Sequence, residues 1–191
     1  MKFQILIVPA LLAGTFAAPA AAQTVVSRGF GLAHDCYIYA RMGRSPRDGI
    51  DACNEALKRE PLDTKDQAAT HDNRGVMLDA LGKSAEAQHD FQTAVMLKPD
   101  LGDAYVNLGS MLIKKRQYPE ALDNINKGLA LGMGFPHIGY YDRAVAEEMM
   151  GRYKESYYDY KKALELEPGY TQASERLKDF TVTTVPAKSP T

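Results

Sequence analysis

The sequence predicts an all-α fold: an α-solenoid of about four helix–turn–helix units, closed by a short C-terminal capping helix. Three observations predict it. Residues recur every 34–35 positions: Gly75 and Gly109 are 34 apart, as are Ala87 and Ala121, and Ser156 lies 35 beyond Ala121. Small residues on the second helix are followed four positions later by large apolar ones (Ala87 and Phe91, Ala121 and Ile125, Ser156 and Tyr160). That spacing places both on one helical face. Helix-stop signals punctuate the pattern: Gly82-Lys83 and Gly151-Arg152 between helices, Pro99 and Pro168 after them. Proline cannot continue the hydrogen-bond ladder, and glycine accepts the left-handed helix end.

Taken in order, residues 1–22 read as an export signal. Lys2 gives a positive start, Ile5–Phe16 is uncharged and apolar, and Ala20 and Ala22 form the small-x-small pattern of a cleavage site after Ala22. Pro9, Gly14 and Pro19 interrupt the run, which falls short of the ~20 apolar residues a spanning helix needs. No cysteine stands near the cleavage region to carry a lipid; the first is Cys36. The expected destination in a bacterial host is the periplasm. Residues 23–29 are expected to be a flexible N-terminus.

The repeat domain is expected over 30–180. Its units are placed at about 30–63, 68–101, 102–136 and 137–170, with a cap at 171–180 and a disordered tail at 181–191. Small residues (Gly75, Gly109, Ala144) sit midway along each first helix, where the second helix crosses closely. Ala94, Gly128 and Ala163 complete the approach from the other side. Two joints depart from the period. The linker Leu62–Gln67 carries about four extra residues, and the glycine-rich 131–139 stretch reads as a looser junction. Arg143 and Glu147 stand where apolar core residues are expected, with Tyr140 and Tyr141 available to compensate.

These positions resemble the tetratricopeptide repeat (TPR) pattern W-x2-L-G-x2-Y, then A-x3-F, A and P. Tyr105, Leu108, Gly109 and Leu112 carry the first half, and Ala87, Phe91, Ala94 and Pro99 the second. The likeness is clear over about 68–170 and degenerate in the first unit (Ala33, Cys36, Tyr37, Ala40; Gly49, Cys53, Ala56, Pro61). It implies a protein that holds partners and does not catalyse. First helices of such arrays line a concave groove. Here helical geometry assigns to it Asp72, Asn73, Val76 and Asp79; Val106, Asn107, Ser110 and Ile113; and Tyr141, Asp142, Val145 and Glu148. An asparagine amide both donates and accepts, so Asn73 and Asn107 can hold a peptide backbone without reading its sequence. Asp72, Asp79, Asp142 and Glu148 disfavour a partner's terminal carboxylate. The partner is expected to be a protein or peptide segment that is basic, neutral or partly apolar. In the same register Cys36 and Cys53 both face the gap between the first two helices. A disulfide is expected, with two buried thiols as the alternative.

Other chemistry finds little support. A formal net charge of −1, without basic runs, gives no general attraction to nucleic acid. His34, His71, His89 and His137 lack metal-ligand spacing, and no cofactor fingerprint or nucleophile motif is present. No cofactor or metal is expected. The reading is therefore a non-catalytic scaffold or adaptor of the cell envelope that binds a partner segment in the groove. The alternative is a structural subunit of an envelope assembly using its convex face or edges, and the remote one an enzyme of unrecognised chemistry.

Overall fold

Two strands and nine helices are seen in a computed structural model that describes residues 3–9, 31–43 and 45–186. In order they are β1 (Phe3–Pro9), α1 (Leu32–Met42), α2 (Pro46–Arg59), α3 (Thr64–Ala80), α4 (Ser84–Leu97), α5 (Gly102–Lys114), α6 (Tyr118–Leu131), α7 (Pro136–Met149), α8 (Tyr153–Leu166), α9 (Thr171–Leu177) and β2 (Phe180–Pro186). The helices pair as α1–α2, α3–α4, α5–α6 and α7–α8, and first helices of successive units pack side by side. Gly43, Gly82 and Gly151 make the turns within three units with φ of 60°, 74° and 75°; in the remaining unit Arg116 takes that left-handed conformation at φ 60°.

Small residues set the helix spacing within a unit. A Cβ added to Gly75 would lie 2.6 Å from Phe91 Cε1. One at Gly128 would meet the Gly102 carbonyl oxygen at 2.5 Å. Phe91, Ile125 and Tyr160 are fully buried at the centres of their pairs, as their spacing from Ala87, Ala121 and Ser156 predicts. Burying such side chains contributes about 2 kcal/mol each.

Both irregular joints are resolved by polar contacts. Most of the extra residues before unit two form a first turn of α3, which starts at Thr64 because Asp63 caps it, Oδ1 accepting from Asp66 N at 2.8 Å. The glycine-rich junction is tied as well. Asp103 Oδ1 accepts from Gly134 N at 3.1 Å, fixing the turn to the start of α5.

The two ends are finished differently. At the first unit, the Glu60 carboxylate accepts from Leu32 N at 2.6 Å and Ala33 N at 3.1 Å, satisfying amides at the α1 N-terminus. Cys36 and Cys53 form a disulfide with Cα atoms 4.8 Å apart. At the last unit, α9 packs on α8, burying Ala173. Arg176 reaches Glu148, whose other oxygen accepts from Tyr160 Oη at 2.8 Å.

The tail differs from expectation. Residues 180–186 form β2, antiparallel to β1 in a register that runs from Phe3 opposite Pro186 to Pro9 opposite Phe180. The stretch Thr181–Val185 is entirely threonine and valine, β-branched residues that suit a pleated pair. The Phe180 ring anchors the strand against Tyr157 and Tyr160. The signal cleavage point, the 23–29 segment and residues 187–191 lie outside the described residues.

Candidate functional site

The inner face is built from α3, α5 and α7. Of the twelve side chains assigned to it by register, ten are buried (Asp72, Asn73, Val76, Val106, Asn107, Ser110, Ile113, Tyr141, Asp142 and Val145) and two, Asp79 and Glu148, are partly buried. Several are joined between units. Asn107 Nδ2 donates to Asp72 Oδ1 at 3.0 Å, Lys114 Nζ to Asp79 Oδ2 at 2.5 Å, and Ser110 Oγ to Asp142. The result is a polar ladder running from α3 to α7 rather than an apolar seam.

Asp72 is the centre of this ladder's electrostatics. It is fully buried, and its Oδ2 has no hydrogen-bond partner. Burial holds its carboxyl well above the ordinary range, and the Asp103 and Asp90 carboxylates add to the rise against the bond from Asn107. Asp103 is itself raised by burial, partly offset by the Gly134 amide. Among the described residues no group of three or more acids, histidines or cysteines is placed to hold a metal ion. The open oxygen of Asp72 can receive a further hydrogen-bond donor.

The outer face carries a second pattern. Arg74 on α3 donates to both Asp90 oxygens on α4 at 2.7 Å, and its third nitrogen donates to Asn54 Oδ1 on α2 at 2.7 Å. Arg143 on α7 repeats this with Asp159 on α8 (2.6 and 2.8 Å) and Asn126 on α6 (2.9 Å). Each planar guanidinium thus ties one first helix to two second helices, with the geometry only a bidentate arginine supplies. Arg143 is therefore not a core defect: its side chain pairs with Asp159 and lies 5.1 Å over the Tyr140 ring. His71, at the usual aromatic position, bonds Asp90 through Nδ1 at 2.9 Å.

Glu147 lies one turn beyond Arg143 and carries a buried Oε2 without a hydrogen-bond partner. Leu78 and Leu112 hold the same register in the two preceding units. Burial, together with the Asp159 charge, pushes its carboxyl up to about 7. A carboxyl raised in the folded state costs stability as it ionises, so stability falls as pH rises from about 4.5 through 7. Glu147→Gln should therefore stabilise the protein at pH 8, on the order of 1 kcal/mol after solvent screening, and have little effect at pH 5. Urea denaturation at both pH values measures this; an equal gain at each would contradict it.

The tetratricopeptide repeat family model matches residues 137–170, the span of α7 and α8. Solved structures of similar shape extend the likeness to between 61% and 78% of the chain. The fold is a tetratricopeptide-repeat solenoid. The chain is similar to MamA, with a TM-score of 0.58 at 20% identity over 78% of this chain and 82% of that one. It is also similar to the second TPR domain of human RPAP3, solved in complex with the HSP70 peptide SGPTIEEVD, with a TM-score of 0.54 at 23% identity over 61% of this chain and 96% of that one. In sequence it is 30% identical over 92 residues to the lipoprotein NlpI homolog of Haemophilus influenzae, covering 48% of this chain and 29% of that protein. The chain spans less than a third of the length of the curated relatives it matches. No helix among the described residues is long and apolar enough to cross a membrane.

Proposed function

We propose that this chain is a non-catalytic scaffold of the cell envelope that holds an extended segment of a partner protein along the inner face of α3, α5 and α7. The observation that carries the reading is the Asp72–Asn107 rung, with a buried Asp72 oxygen left without a donor. A peptide backbone brings donors and acceptors, and exchanging one hydrogen bond for another costs little net free energy, about 1 kcal/mol or less per bond. A polar ladder can therefore open to a segment where an apolar seam would resist.

The chemistry of the face indicates the segment. The RPAP3 structures hold peptides that end in acids, SGPTIEEVD and SRMEEVD. Here Asp72, Asp103 and Asp142 are buried carboxyls of the first helices, and desolvating an acidic end beside them would be costly. The preferred segment is basic, neutral or partly apolar. Export follows from the 1–22 signal, whose removal after Ala22 would take β1 away from β2. The Haemophilus relative is named a lipoprotein; in this chain both cysteines are engaged in the disulfide, so neither is available for a lipid.

Asn73→Ala combined with Asn107→Ala tests the groove. After crosslinking in the periplasm, co-purified partner should fall by about tenfold, with the helical circular-dichroism signal retained. Undiminished recovery of the same partner would remove the inner face from the proposal.

A further inference from the structure

The outer face has three clefts between successive second helices, and the middle one differs in kind. The fork residues recur in register: Asn54, Gln92 and Asn126 on the preceding second helix, Arg74, Leu108 and Arg143 on the first helix, Asp90, Asn124 and Asp159 on the second. In the middle cleft arginine and aspartate are replaced together, by Leu108 and Asn124. Leu108 cannot form the arginine fork of the flanking clefts. A cavity of about 220 Å³ remains, with Leu108, Met111 and Leu112 as floor and Gln92 and Asn124 among the residues at its rim.

The rim has one charge available. Lys115 Nζ donates to the neutral Gln88 Oε1 at 2.6 Å and makes no ion pair among the described residues. The cleft between α2 and α4 is larger, about 700 Å³. Its Arg74, Asp90 and Asn54 already satisfy one another, and its rim Lys83 is paired with Glu86 at 3.1 Å. A guest there meets the charged fork, Asp51 and His89 beside Ile50 and Leu78, not a rim of neutral amides. The middle cleft offers apolar surface, neutral amides and one cation.

We infer that the α4–α6 cleft is a second docking site, which takes a leucine- or methionine-sized side chain of a partner protein with an acidic residue beside it. The cavity lies below the roughly 300–1,000 Å³ of pockets built for drug-sized ligands, so it fits one large side chain and not a cofactor. The Gln92 and Asn124 amides can bond the backbone on either side of that residue, and Lys115 meets the acid. This site lies on the face opposite the ladder and does not depend on the inner-face reading.

A displayed library of random twelve-residue peptides, panned on the full chain and counter-selected on the Leu108→Arg, Asn124→Asp double variant, tests it. The double variant rebuilds the fork found in the two flanking clefts, and its helical signal is checked by circular dichroism. Surviving peptides should share a large apolar residue with an acid within two positions. In fluorescence anisotropy each should lose about tenfold or more in affinity when that apolar residue becomes alanine, which tests the cleft from the peptide side whatever the variant's folding. Lys115→Glu should weaken the same peptides and partly recover those whose acid is changed to lysine. Asn73→Ala with Asn107→Ala should leave them unaffected. The inference is overturned if no peptide separates the parent chain from the double variant, if survivors lack the apolar–acidic pair, or if the inner-face variant abolishes their binding.

Discussion

Arg74→Ala should lower the unfolding free energy by about 3 kcal/mol, the cost of stranding a buried carboxylate. Asp90 is 0% exposed, and Arg74 supplies both bonds of a fork to it. Burial pushes the Asp90 carboxyl up, but the bonds from Arg74 and His71 together outweigh it and hold the group below its ordinary range. A depressed folded-state carboxyl contributes stability above its unfolded pKa and loses it as pH falls through the folded value. Without Arg74 the sign reverses toward a buried acid that prefers its proton. The penalty should therefore be largest at neutral pH and shrink toward pH 4. Arg143→Ala should cost less, because the Asp159 side chain keeps 11% exposure and water can solvate part of its charge.

The middle unit supplies the control for that experiment. Leu108 and Asn124 hold the same register as Arg74 and Asp90. Arg74→Leu with Asp90→Asn removes the charge together with its partner, and should sit within about 1 kcal/mol of the parent. Chemical denaturation of the single and double variants gives the coupling. If Arg74→Ala alone costs no more than the double change, the fork is not what holds α3 to α4.

What the sequence could show follows from what each feature depends on. Helix pairs, turns and the cysteine contact were readable because each rests on residues a fixed distance apart within one unit: Gly75 needs Phe91, and Cys36 needs Cys53. The cap at Asp63 is readable from its position three residues before Asp66, whereas repeat spacing alone shows only that extra residues lie there. Arg143 looked like a core defect because its partner Asp159 lies 16 residues away on another helix. The signal was present nonetheless, since Arg74 and Asp90 repeat the same separation 69 residues earlier. Burial of the inner-face residues was beyond reach. Register tells which side of a helix Asp72 occupies; it does not tell how closely the surroundings cover that side. The final strand departs from the expected disorder because Thr181–Val185 is β-branched throughout, with nothing to break a strand.

Removing the disulfide should act at one end of the molecule. Cys36→Ser with Cys53→Ser opens a loop of 17 residues, worth about 3 kcal/mol by restriction of the unfolded chain. In a solenoid each unit touches only its neighbours, so a terminal unit can open while the rest holds. The first unit is tied onward at α2, where Asn54 Oδ1 accepts from Arg74 at 2.7 Å. Its α1 is held by the disulfide, by the Glu60 carboxylate at its N-terminus and by packing on α3. Hydrogen exchange of the serine variant should show α1 and α2 amides losing protection by about a hundredfold, with α5 to α8 near the parent values. Glu60→Gln in the intact protein should loosen only the first turn of α1. Equal loss of protection from α1 through α8 would mean that the array unfolds as one unit, and that the staple stabilises the whole domain rather than its weakest repeat.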